Sequence, residues 1–303
     1  LVKVVGFKRP PNAIRRARHR LYLPGDYLVQ VKRPSQAGAF RRLLTDDLAL
    51  WMLMSAADFD LRFLCGVAAF FFSLWSVYEI GYWDNDVCAY RLEADPVVSP
   101  RFLGFDSRHF ALKAWMTAIL LALAGAWAIR PAALCATAAA WLAVLVALRA
   151  VYWLYNRIDK PTRVWLYLVL HVFRTLALGA VVPVGVVGMM AGIAQICARW
   201  QEYFWYRAAP TPDGFRWRDT PLRLIQLLFF LLCLGALAYA RVDVWTWRAA
   251  ALLGWSLFLA RKDIRVALRG AHRLDSAAEE SPRHEDHRDQ GLAGRSAAQG
   301  RPL

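Results

Sequence analysis

The chain has 303 residues, 58% of them apolar and 20% charged, with 14 Trp and a mean hydropathy of +0.30. Soluble domains hold about 45–50% apolar residues. Here the excess falls in blocks of roughly 17–25 residues, the length that crosses a bilayer, which excludes an ordinary soluble enzyme, a disordered chain and a secreted disulfide scaffold. The net charge of +15 would point to nucleic acid in a soluble protein. In a chain of apolar blocks it reports first on membrane topology, and no nucleic-acid partner is expected.

Residues 1–42 carry 11 Lys and Arg, with prolines at 10, 11, 24 and 34 that break any long helix. They read as a basic arm lying on an anionic membrane surface. Apolar blocks then predict eight, at most nine, transmembrane helices in an all-α bundle around a central cavity open to the cytoplasm. They lie near 44–58, 61–83, 110–129, 131–155, 163–180, 182–206, 222–240 and 244–262. With eight spans, 32 of the 38 Lys and Arg fall on one side. Arg130 and Arg241 fall on the other, with Arg62 and Arg248 at nearby helix ends. That asymmetry puts both termini on the cytoplasmic side of a cell inner membrane. The predicted domains are the arm (1–42), a helical domain (43–265) and a polar, disordered tail (266–303). The five cysteines have no clustered spacing and read as buried free thiols. Gly185, Gly188 and Gly192 have the spacing of close helix packing.

Ionisable and polar residues inside spans cost a few kcal/mol each and mark candidate sites. They are Glu79, Arg149, His171, Arg174, Gln195, Arg199 and Glu202, and Tyr82 shares the polar face of Glu79. Neutralisation predicts that Glu79 or Glu202 pairs with Arg149 or Arg174. All point to one half of the bundle, where a polar cavity is expected.

Residues 78–96 place Asp84, Asn85, Asp86, Glu93 and Asp95 close together where the second helix ends. Hard oxygen ligands of this kind suit Mg²⁺, which usually shares them with a phosphate. Asn85, Asp86 and Glu93 can share one helical face, since seven residues make two turns. Arg91 and Arg101 stand near enough to contact phosphate oxygens.

This stretch resembles the first Asp-rich motif of the UbiA family of intramembrane prenyltransferases, Asn-Asp-x-x-Asp-x-x-x-Asp after the second helix. Asn85 and Asp86 match its opening pair, Ala89 stands at the third acid and Glu93 at the last. Residues 155–163, with Tyr155, Asp159, Lys160 and Arg163, resemble the family's segment after the fourth helix. The family's second Asp-x-x-x-Asp motif has no match; Gln195, Arg199 and Glu202 occupy its neighbourhood. The resemblance implies a Mg²⁺-dependent transfer of an isoprenyl group from a diphosphate to an acceptor, or binding of a polyprenyl lipid. Under it, Asn85, Asp86 and Glu93 hold the metal, with Asp86, Glu93 and Asp159 as catalytic candidates. Arg91, Lys160, Arg163, Arg174 and Arg199 are phosphate partners, and Trp75, Tyr78, Tyr82, Trp83, Tyr152 and Tyr155 shelter an allylic cation. The two alternatives are a catalytically degenerate relative that binds lipid or scaffolds a complex, and a secondary transporter with a helix broken near Pro183.

Overall fold

The computed structural model describes residues 22–32, 38–56, 60–93, 96, 98–159, 161–208, 220–244 and 246–280. Two compact units are distinguished, Leu1–Ala260 and Arg261–Leu303. The first holds the helical bundle; of the second, the described part is helical.

All described elements are helical, apart from one isolated bridge between Ser55 and Val184. In chain order they are α1 (Gly38–Arg42), α2 (Ala49–Met54), α3 (Leu61–Leu92), α4 (Phe110–Ile129), α5 (Leu134–Tyr155), α6 (Arg163–Leu176), α7 (Val186–Ala208), α8 (Leu222–Tyr239) and α9 (Trp247–Glu280). Among the described residues five helices are long and apolar enough to cross a membrane: Leu61–Leu92, Phe110–Ile129, Pro131–Tyr155, Arg163–Ala180 and Leu222–Tyr239. The protein therefore has the make-up of an integral membrane helical bundle. α7 is comparably long but carries Arg199, Glu202 and Arg207 in its second half.

The central element is α3. It starts at Asp60, whose carboxylate accepts from the backbone N–H of Phe63 at 2.6 Å, a helix N-cap. Val67, Phe70, Phe71, Leu74 and Trp75 along it are buried. The helix runs 32 residues, two turns beyond its predicted end at 83. Neither Gly nor Pro interrupts residues 82–92, and the acids there are neutralised in place.

Three other elements differ from expectation. The predicted span 44–58 is divided into a π-helical segment, Leu43–Leu48, and the short α2. Asp46 and Asp47 lie in the π-helical segment and are buried; widened turns of this kind recur at functional sites. The tail predicted disordered from 266 is helical as far as Glu280, because residues 264–280 are rich in Ala, Leu, Arg and Glu, strong helix formers. The cysteines are free as expected but none is buried. Cys65 and Cys135 are exposed on their helices, since the outer apolar face of a membrane helix meets lipid.

The spacing at Gly188 does what it predicts. A Cβ there would stand 2.5 Å from the Met54 Cα, so the ends of α2 and α7 touch backbone to backbone. Ala56 N–H donates to the Pro183 carbonyl at 2.9 Å and Gly185 N–H to the Met54 carbonyl at 3.1 Å. Gly188→Ala is expected to destabilise the protein by about 1–3 kcal/mol, the usual cost of overpacking. Gly235→Ala, with nothing within 4 Å, should be neutral or slightly stabilising. Thermal unfolding in detergent checks both; equal melting of Gly188→Ala and wild type would refute the close approach.

Candidate functional site: two cavities at the polar end of the bundle

One end of the bundle gathers the C-terminal halves of α3, α5 and α7, α6 along its length, the start of α8, and the segment Leu43–Leu48. A buried ionic network lies there. The Asp47 carboxylate accepts from Arg174 Nη2 at 2.5 Å and from Gln195 Nε2 at 3.0 Å. Asp46 pairs with Arg223 and lies 3.5 Å from Arg199 Nη2. Gln226 links the parts, donating to Gln195 Oε1 at 3.2 Å and accepting from Arg223 at 2.9 Å. Two carboxylates thus meet three guanidinium groups, with Glu202 in the same cavity wall. The Nε atoms of Arg174 and Arg199 have no hydrogen-bond partner among the described residues.

The acids of α3 divide between two neighbours. Glu79 and Asp86, seven residues and two turns apart, receive the N-terminal segment. Glu79 accepts from Tyr22 Oη at 2.6 Å and from the backbone N–H groups of Gly25 and Leu28 at 3.0 and 2.8 Å. Asp86 accepts from Tyr27 Oη at 2.8 Å and pairs with Lys32. Burial first, and then the facing carboxylate, push both phenols well above their ordinary range, so they stay protonated as donors. Asp84 faces the other way, with Arg149 at 3.3 Å, Arg157 at 3.4 Å and Asn156 at 3.3 Å. Glu93 closes α3 and pairs with Arg163 at 3.4 Å.

Two cavities open among these groups. The larger, about 310 Å³, has Arg42, Arg174, Arg199 and Arg223 in its wall, against Asp46 and Glu202. The smaller, about 150 Å³, is walled by Tyr78, Tyr82, Tyr152, Tyr155 and Tyr167 with Lys32, Asn85, Leu170, His171 and Arg174. We call them the arginine and tyrosine cavities; Tyr82 and Arg174 belong to both. Tyr78, Tyr82 and Tyr152 meet edge to face, with centroids 4.9–6.3 Å apart. The Tyr155 and Tyr203 hydroxyls lie 3.0 Å apart. Tyr152 reaches its place because position 81 is glycine: a Cβ there would stand 2.3 Å from the Tyr152 ring. Buried His171 has no partner for Nδ1 among the described residues.

Of the predicted residues, Tyr82, Asn85, His171 and Arg174 converge on the tyrosine cavity, and Arg199 and Glu202 on the arginine cavity. Gln195 sits behind them on Asp47. The predicted pairings are corrected. Arg149 goes to Asp84 and Arg174 to Asp47, while Glu79 holds backbone N–H groups rather than a guanidinium. Arg91 and Arg101 are exposed, and Arg101 donates to the Gln30 carbonyl at 3.5 Å. Asp159 is exposed and caps a turn at Thr162, whose backbone N–H and hydroxyl hold its carboxyl below the ordinary range. Lys160 and Asp95 lie outside the described residues. The arm does not merely overlie a surface: Tyr27, Leu28 and Val31 are buried in the bundle.

The residues present do not fit the magnesium site that the resemblance implies. Asn85 faces the tyrosine cavity, both Asp86 oxygens are engaged by Lys32 and Tyr27, and Glu93 is paired with Arg163. Among the described residues no three His, Cys, Asp or Glu side chains converge. Sequence reasoning passed over Lys32, Arg42, Asp46, Asp47, Tyr167, Arg223 and Gln226. Two of these groups carried a signal: adjacent acids opening an apolar block, and Arg223 with Gln226 one turn apart at the start of α8.

No protein-family model, curated protein or solved structure matches the chain.

A buried pair that loses one partner costs about 3–5 kcal/mol, whereas removing both can be nearly neutral. Asp47→Asn is therefore expected to lower stability by several kcal/mol, and Asp47→Leu combined with Arg174→Met by less than either change alone. Detergent melting of wild type, Asp47→Leu, Arg174→Met and the double variant measures the coupling. Additive losses would mean that the two side chains do not depend on each other.

Proposed function

We propose that the protein is an eight-pass membrane protein that binds an isoprenoid phosphate or diphosphate at its cytoplasmic end and, in the manner of the UbiA-like prenyltransferases it resembles, transfers the prenyl group to an acceptor. Eight passes follow if the helical stretch from Gly38 to Met54, α7 and α9 cross the membrane with the five apolar helices. The polar end then faces the cytoplasm, together with the arm and the tail, as the excess of basic residues there supports.

The observation that carries the reading is the junction at Arg174. It joins a cavity with four arginines and two acids in its wall to one walled by five tyrosines. Guanidinium groups suit phosphate oxygens, with which they form paired hydrogen bonds. In a transfer, the bond from the allylic carbon to the diphosphate oxygen breaks, and the diphosphate keeps the electron pair. Arg174 and Arg199 stabilise that charge. Tyrosine faces shelter the allylic cation until an acceptor atom bonds to the carbon and gives up its proton. Arg174 itself stacks over Trp75, 5.0 Å from the ring centre, which fixes its plane at the junction.

A second reading, a non-catalytic binder of the same lipids, draws on Ala89 at the third acid of the motif and on the pairing of Asp86 and Glu93. Turnover separates the two. The purified chain in detergent is expected to bind farnesyl diphosphate, and Arg199→Gln to weaken binding about tenfold, ~1.4 kcal/mol. Arg199→Lys should lose less, because it keeps the charge. Pyrophosphate release with a panel of aromatic acceptors would mark the transferase. Binding without release for any acceptor would mark the binder, and no binding of isoprenoid phosphates or diphosphates would end the proposal.

A further inference from the structure

Among the described residues, the wall of the tyrosine cavity contains two cations, Lys32 and Arg174, and no carboxylate. Each cation is anchored from behind by a buried acid, Asp86 for Lys32 and Asp47 for Arg174. An ammonium has three N–H donors, and Asp86 takes one of them. Arg174 keeps an unpartnered Nε, as found above. Beside them are the Asn85 side chain and buried His171, whose Nδ1 has no partner among the described residues. A site of this kind offers charge and donors while its own charges are already balanced. It therefore suits an incoming anion better than an unpaired cation cluster, whose burial would be costly.

We infer that Lys32 is a tethered cation that stands at the acidic motif where a metal would otherwise be held, and that with Arg174 it binds a phosphoryl group where the tyrosine cavity meets the arginine cavity, without a divalent ion. The inference rests on the reading of the site given above and names how the head group is gripped. Lys32 belongs to the N-terminal arm, 54 positions from Asp86, and is brought to the motif by the hold of Glu79 on Gly25 and Leu28 and of Asp86 on Tyr27. The Lys32 side chain is 28% exposed against 1% for Asp86, and Lys32 stands in the cavity wall while Asp86 is behind it. A lysine acts on phosphate as a compact point charge, and an ion bound by Asn85 and Asp86 would have to displace it.

Full-length protein in phosphatidylcholine nanodiscs is titrated calorimetrically with farnesyl diphosphate and with inorganic pyrophosphate, in EDTA and in millimolar Mg²⁺. Wild type is expected to bind farnesyl diphosphate equally well in both. Lys32→Met should bind about tenfold more weakly in both buffers, because Asp86 stays held by Tyr27 and Glu93 by Arg163. Lys32→Arg, which keeps the charge and guards against a folding defect, should stay near wild type. Pyrophosphate competing with farnesyl diphosphate would locate the recognition in the head group. Equal titrations in discs containing phosphatidylglycerol would show that an ordinary lipid headgroup is not the ligand. Loss of wild-type binding in EDTA, or Lys32→Met binding like wild type in EDTA, would overturn the role of Lys32 and leave the isoprenoid reading standing. Competition by phosphatidylglycerol would overturn the selective phosphoryl site. Absence of binding in either buffer would overturn both.

Discussion

A carboxylate placed between apolar helices must find a cation or several hydrogen-bond donors, because an ion left alone there is too costly to keep. The polar end of this bundle is arranged around that requirement. Asp46, Asp47, Asp84, Asp86 and Glu79 are all buried, and each has its own set of partners. The partners come from elements far apart in the chain: Asp47 joins the segment before α2 to α6 and α7, Asp46 joins it to α8, and Asp84 joins α3 to α5. The acids thereby set which helix ends meet. Asp46, Asp47 and Asp86 also leave the cations they hold, Arg223, Arg174 and Lys32, in the walls of the two cavities.

The arm shows how far this logic extends. Glu79 is met by two backbone N–H groups and a phenol, which is the kind of donor set a carboxylate finds at a helix start. The segment around Gly25 is folded against α3 by that one side chain. Aromatic packing of Tyr27 on Phe105 and Phe110 completes the seat. A basic segment that composition alone would leave on a lipid surface becomes a wall of the site, because α3 presents two acids two turns apart to receive it.

Much of the fold could be read directly. Apolar blocks located the starts of the helices from 61 to 247 within a few residues, although α3 and α9 run past their predicted ends, since a span needs length and hydropathy and both are local properties. The small-residue spacing at Gly188 predicted a close approach, and α2 meets it. Several cavity residues were legible for the same reason: Tyr82, Asn85, His171, Arg174, Arg199 and Glu202 are polar residues in apolar surroundings. The partners were not legible. Arg174 had several acids at plausible depth, and its choice of Asp47 depends on the π-helical turn at Leu43–Leu48 and on the docking of α2 against α7. Both are tertiary facts. Lys32 was hidden for another reason, since a lysine in a run of basic arm residues carries no mark of its own. The interior face of α3 that captures it is formed only when the bundle assembles.

The division of labour between the cavities follows from size and lining. The tyrosine cavity holds about 150 Å³ and is walled mainly by tyrosine rings. The arginine cavity, at about 310 Å³, is larger and carries acids as well as cations. An amphiphile that uses both would place its charged end at Arg174, the cation they share, and direct its apolar part past aromatic faces. Tyrosines serve both needs, with hydroxyls for the polar end and ring faces for apolar carbon or a developing cation. Gly81 enables this arrangement, because a side chain there would displace Tyr152 and with it the packed set of Tyr78, Tyr82 and Tyr152. The chemistry that the site can support is thus set as much by the absence of a side chain on α3 as by the charges beside it.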